Sequence, residues 1–153
     1  MDFVFETSLQ NRRSLHYFLN NLSLQELNTV PAGFSNSIFW NIAHVVVTQQ
    51  LLVYTLSGKE SMLPQSFIDS FRKGTKHEKD ATEQDVKQVS EWLFATLEKT
   101  KEDYAKSVFK NYGSYTTSLK VTLKTVEDGL NFNNFHEGIH LGYILAMKKA
   151  IVS

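Results

Sequence analysis

An all-α fold built as a four-helix bundle is what this sequence predicts. Three observations lead there. Helix breakers are scarce, with two prolines and seven glycines among 153 residues, so long stretches run uninterrupted. Four of those stretches carry apolar residues at helical spacing. At three of the expected helix starts a serine or threonine is followed three positions later by an acid: Ser23 and Glu26, Thr82 and Asp85, Thr125 and Asp128. That spacing opens a helix by capping its free N–H groups.

Taken in order, the first helix is expected over residues 3–21, with Phe5, Leu9, Leu15, Phe18, Leu19 and Leu22 forming its apolar stripe and Arg12 and Arg13 facing water. The Ser23–Glu26 box starts a short turn ending at Leu27. Pro31 and Gly33 break the chain, and Ser35, Asn36 and Ser37 offer caps for a second helix over residues 38–56 that stops near Gly58. Its Val45-Val46-Val47 triplet favours strand locally, yet Ile38, Ile42, Leu52 and Tyr54 keep a helical pattern.

A connection of roughly 25 residues follows, over residues 57–81, long for a compact domain. That length makes it suspect or functional, with Phe67, Ile68 and Phe71 tucked against the body. A connection of that length can carry the chain back, leaving the second and third helices parallel. The third helix is expected over residues 83–109, with Val86, Val89, Leu93, Leu97 and Tyr104 inward. A polar break and an extended stretch at 115–122 lead to the fourth, over residues 126–152. No internal repeat or linker divides the chain, so residues 1–153 are expected to form one domain.

Composition excludes several functions. The formal net charge is zero and no basic run occurs, which argues against nucleic acid. The longest aliphatic runs are too short for a bilayer, and Met1–Glu6 has an acid where a signal peptide carries bases. A cytoplasmic protein is expected, with no membrane partner. With no cysteine, a cysteine nucleophile, a thiolate-bound zinc and a disulfide are all ruled out.

The chemistry concentrates in His136-Glu137-Gly138-Ile139-His140. Two histidines four residues apart stand on one helical face, the start of a metal site that needs a third ligand. The stretch matches H-E-x-x-H, in which zinc proteases use the glutamate as base. Such enzymes need a downstream ligand. The position six residues on is Ala146, and residues 141–153 contain no Asp, Glu or His, so the protease reading fails. Upstream, His16 follows the arginine-rich side of the first helix and His77 is expected at the surface. His44, in Trp40-Asn41-Ile42-Ala43-His44 on an apolar helix, is the best candidate. Alone, such a histidine is more often a hydrogen-bonded core residue than a ligand.

Ser37-Ile38-Phe39-Trp40-Asn41-Ile42-Ala43-His44, taken together with His136-x-x-x-His140-Leu141-Gly142, resembles the DinB-like superfamily, which includes the YfiT-type metal-dependent hydrolases and thiol S-transferases. Leu22–Leu27 and Phe71-Arg72-Lys73-Gly74-Thr75 extend the likeness over nearly the whole chain. The resemblance implies an up-down-down-up bundle and a metal triad at His44, His136 and His140. It also implies a divalent transition metal, with zinc or nickel foremost and iron or manganese as further options, a small-molecule substrate such as a low-molecular-weight thiol, and a homodimer. One departure is Tyr143, where many members carry glutamine.

Three neutral imidazoles leave a divalent ion its full charge; zinc so held brings water to a pKa of about 7 and would equally ionise a thiol, whose free pKa is about 8.5. Residues three or four positions from the histidines are Trp40, Asn41, Val47, Thr48, Phe132, Asn133, Tyr143 and Ile144, with no carboxylate among them. An acid from the third helix or the long connection stays open. Glu137, turned about 100° from His136, is expected in water or a surface pair. Asn41, Asn133 and Tyr143 are candidate pocket residues, Trp40 and Phe132 read as core, and Gly138 and Gly142 as a close helix approach. The rival reading is a non-catalytic, stress-related bundle whose metal is structural or absent.

Overall fold

The computed structural model describes residues 1–152, the last by its backbone alone. It is mostly helical, in the order α1 (Asp2–Asn21), α2 (Leu24–Asn28), α3 (Ile38–Val53), α4 (Gln65–Phe71), α5 (Glu83–Ala105), a two-stranded hairpin of β1 (Tyr115–Thr116) and β2 (Thr122–Leu123), and α6 (Val126–Val152). The four long helices contact one another in a closed ring: α3 on α6, α6 on α1, α1 on α5 and α5 on α3.

The caps form as expected. Ser23 with Glu26 and Thr82 with Asp85 make reciprocal boxes at α2 and α5. Asp128 accepts from the N–H of Thr125, whose hydroxyl accepts from that of Asp128. Of the three caps offered for α3, Ser37 is used, accepting from Trp40 N at 3.1 Å. Val45, Val46 and Val47 are fully buried within α3; a helix buried on every side lets tertiary packing override their strand preference. A 3₁₀ turn at Thr55–Ser57 ends it at Gly58, whose φ of 67° suits glycine.

Several expectations need correcting. Within the long connection residues 65–71 form a helix that was not expected, α4, and its Phe67, Ile68 and Phe71 join the core around Leu93 and Phe39 as expected. The extended stretch is a hairpin that turns through Lys120, at φ 64°. Helix α5 stops at Ala105 rather than 109, with Ser107 at φ 54° turning the chain. Gly138 and Gly142 face open space rather than a neighbouring helix. The glycine at a close approach is Gly129, where an added Cβ would lie 3.0 Å from the Leu52 carbonyl.

The largest correction concerns charge. Arg12 and Glu137, both expected at the surface, are fully buried and paired across α1 and α6. Arg12 donates to Glu137 Oε1 through Nε at 2.9 Å, with Nη2 at 2.7 Å from the same oxygen. The Nη2 contact is close but poorly directed, so it counts as charge proximity rather than a second hydrogen bond. Asn133 Nδ2 donates to that oxygen at 2.8 Å. The register explains the burial. On α1 the buried residues Phe5, Ser8, Arg12, Leu15 and Leu19 step by three and four, and on α6 Leu130, Asn133, Glu137, Ile144 and Met147 follow the same seam.

Removing one member of a buried pair strands the other charge. Arg12→Leu should therefore lower unfolding free energy by about 3–5 kcal/mol, and Arg12→Leu with Glu137→Leu should recover most of that loss in urea titrations. Equal losses in the single and double variants would show that packing, not the stranded carboxylate, sets the cost.

Candidate metal centre

The contact of α3 with α6 brings His44 against His136 and His140. Their ring centroids lie 5.1 and 4.8 Å from that of His44, and 4.5 Å from each other. Each ring offers one nitrogen to a common point, the three atoms lying within 4.8 Å of one another, so the group can hold a metal ion. No fourth histidine or carboxylate joins it among the described residues.

Hydrogen bonds assign the protons. His44 Nδ1 lies 2.6 Å from the Phe71 carbonyl oxygen. A carbonyl only accepts, so Nδ1 carries the hydrogen and Nε2 keeps its lone pair. Thr48 Oγ1 stands 3.2 Å from that Nε2. On α6, His140 Nδ1 lies 2.7 Å from Asn41 Oδ1. The Asn41 amide is oriented by its Nδ2, which donates to the Ser37 carbonyl at 2.8 Å, so Oδ1 must be the atom facing His140. His140 Nε2 is thus also unprotonated, and it lies 3.1 Å from His136 Nε2. Nitrogen ligands about 2.0–2.1 Å from one ion at angles of 90–110° are about 2.9–3.4 Å apart. The His136–His140 pair has that spacing and His44 lies within 4.8 Å of it, so the group can hold a divalent metal, and the fixed Nδ1–H bonds of His44 and His140 are the outer support that imidazole ligands need. His136 Nδ1 is buried without a protein partner, as are Asn133 Oδ1 and Glu137 Oε2 on the same helix.

Two cavities flank the cluster, and His44 and His140 border both. The first, of about 430 Å³, also reaches His136 and is walled by leucines 51, 52 and 56 with Phe132 and Ile139. The second, of about 450 Å³, is bounded by Phe34, Trp40, Asn41, Tyr143 and Met147. Neither lining contains a carboxylate, which answers the question of an acid from α5 or the connection as far as these walls go.

The sequence candidates divide accordingly. His44, His136 and His140 come together. Asn41 is buried and orients His140. Tyr143 is half exposed on the second cavity, edge-on to Phe34 at 6.4 Å. Asn133 does not reach a cavity; it serves the Arg12–Glu137 pair. Trp40 and Phe132, both expected in the core, are cavity wall: Trp40 is buried, stacks on His44 at 4.7 Å and bounds the second cavity, and Phe132 lines the first. His16 bonds Ser90 and Asn20. His77 is not loose at the surface but held between Ser37 and Asp80, at 3.0 Å from each. Sequence reasoning missed Phe71 O and Lys73, which borders both cavities; Thr48, counted among the helical neighbours of His44, stands beside its lone pair.

Burial drives all three imidazoles towards neutrality. It pushes His136 down to about 2, helped by the charges of His140, His44 and Arg12, and His140 down to about 3, helped by His44; His44 is lowered by burial against the opposing Phe71 bond. Unfolded histidines titrate near 6.5, so below that pH the unfolded chain binds protons that the folded one refuses. Chelator-treated protein should lose stability as pH falls from about 6.5 towards 3, and His136→Gln should flatten that limb in thermal melts across pH. An unchanged slope in the variant would show that His136 is not buried neutral.

A family model described as the DinB superfamily matches residues 9–144, a span that includes all three histidines. The crystal structure of a conserved protein from Enterococcus faecalis has the same fold, with a TM-score of 0.64 at 17% identity over 99% of this chain and 96% of that one. No curated protein matches. With the family model covering most of its length, the chain belongs to the DinB superfamily.

Proposed function

We propose that this protein is a metal-dependent enzyme in which His44, His136 and His140 hold a divalent transition metal, zinc or nickel foremost, and act on a small molecule. The observation that carries this is the convergence of three imidazole nitrogens at the wall of a cavity, with no fourth histidine or carboxylate joining them among the described residues. A structural site would be closed by that fourth ligand. Family membership supports the same reading.

A divalent ion so held would supply Lewis-acid activation of a nucleophile near neutral pH. The chain does the rest. Phe71 O and Asn41 hold two of the rings by their outer nitrogens, Thr48 offers a hydroxyl beside the His44 lone pair, and the leucine-rich wall gives the substrate an apolar surface. The absence of a carboxylate from the cavity linings favours a nucleophile that ionises without a protein base. A low-molecular-weight thiol, whose free pKa is about 8.5, meets that condition more easily than water does. Thiol transfer is thus the preferred reaction and hydrolysis the alternative.

The same reading takes the chain as one cytoplasmic domain with an up-down-down-up course. Contacts support that course. Arg12 with Glu137 and Phe18 with Lys148 run α1 and α6 together. Gln49 with Thr100 and Tyr54 with Asp103 do so for α3 and α5, whereas His16 with Ser90 and Phe5 with Tyr104 oppose α1 and α5. No helix among the described residues is long and apolar enough to cross a membrane. For the homodimer, the outer face of α6 offers Phe135, Ile139 and Leu145 around Gly138 and Gly142, all exposed.

His44→Ala should abolish stoichiometric metal after dialysis while circular dichroism stays native, and His77→Ala should leave metal content unchanged; retained metal in the first or lost metal in the second would displace His44 from the triad. Asn41→Leu should weaken metal affinity by about 10–100-fold through the lost support of His140. For the reaction, metal-loaded protein should consume an electrophile together with a low-molecular-weight thiol. Turnover of esters or amides alone would favour hydrolysis, and no turnover with either would favour the non-catalytic bundle.

A further inference from the structure

Arg72-Lys73-Gly74-Thr75 is a tight turn. Thr75 donates to the Arg72 carbonyl through its N–H at 3.2 Å and its hydroxyl at 2.8 Å, and Gly74 takes φ 93°, which a side chain would resist. One residue earlier, the Phe71 carbonyl is the acceptor for His44 Nδ1 at 2.6 Å. The backbone before and after Lys73 is therefore anchored, and one of the anchors is a ring of the histidine cluster.

Lys73 stands where the two cavities adjoin, the only charged residue lining either of them. Its neighbour Arg72 is paired with Asp69 at 3.5 Å; Lys73 has no ion pair among the described residues. The larger part of the first cavity's wall is hydrocarbon, from Leu51, Leu52, Leu56, Leu119, Phe132 and Ile139. A single cation at the edge of an apolar chamber matches one kind of molecule.

We infer that Lys73 is a specificity residue that binds the anionic group of an amphiphilic substrate whose hydrocarbon body occupies the leucine-lined cavity beside the histidines. This rests on the histidine site being one that acts on a small molecule. An ammonium at the rim gives a charge-assisted bond to a carboxylate and nothing comparable to an alcohol, while both share the gain from burying the chain. The flexible lysine stem reaches either cavity, so one anchored turn can serve a ligand entering from both sides.

The test measures octanoate, octanol and octylammonium binding by calorimetry, on zinc-loaded and on chelator-treated protein. Wild type should bind octanoate at least about tenfold more tightly than octanol in both states, with octylammonium weakest. Lys73→Met should bring octanoate and octanol to within about twofold without weakening octanol, and Lys73→Arg should keep the preference. Equal binding of octanoate and octanol by wild type would overturn the inference, as would a preference that survives Lys73→Met. A preference seen only with zinc and lost in His136→Ala but not in Lys73→Met would assign the carboxylate to the ion, and also overturn it. A Lys73-dependent preference in a protein that takes up no zinc would sustain anion recognition while removing the metal-dependent reading.

Discussion

Two hydrogen bonds set the arrangement of the histidine cluster: His44 Nδ1 to the Phe71 carbonyl and His140 Nδ1 to the Asn41 side chain. Both acceptors are oxygens that cannot donate in those geometries, so each pins its ring's proton on the outer side. The inner nitrogens are left as lone pairs turned towards one another. Such an arrangement, buried and kept neutral, is unfavourable by itself and becomes favourable around a shared cation. The long connection matters for this reason: α4 has to end where Phe71 can present its carbonyl to α3.

Helix α6 serves three environments at once. One seam of Leu130, Asn133, Glu137, Ile144 and Met147 is buried, a second face turns His136 and His140 to α3, and a third leaves Phe135, Ile139 and Gly142 outside. The Arg12–Glu137 pair sits next to the functional face, one residue from His136. A buried pair of this kind adds little net stability compared with hydrocarbon, yet it penalises any rotation of α6 that would separate the charges. The orientation of His136 and His140 is thus tied to the register of α1 against α6.

Much of this was legible in the sequence because it depends on local rules. The caps at Ser23, Thr82 and Thr125 need only a hydroxyl and an acid at fixed spacing, and the pairing of His136 with His140 needs only the helical repeat. The two cases where charge misled, Arg12 and Glu137, show where such rules stop. Each lies on its helix's apolar stripe, and that register was a sounder guide than residue polarity; what could not be read was that each would find the other. Asn133 was drawn towards the cavity by its distance from His136, though it belongs to that same pair. Helix α4 was lost because seven residues after a proline carry too few turns to show a period. The role of Phe71 as an acceptor has no side-chain signature at all, since any residue there offers the same carbonyl.

The measurement that bears most directly on this account is X-ray absorption at the metal edge of protein reloaded with one equivalent of zinc. The proposed site predicts three imidazole nitrogens at about 2.0–2.1 Å and one exchangeable oxygen ligand that is replaced by sulfur at about 2.3 Å when a thiol is added. Four protein ligands with no response to thiol would mean a closed structural site. Fewer than three imidazoles would mean that His44, His136 and His140 do not share an ion.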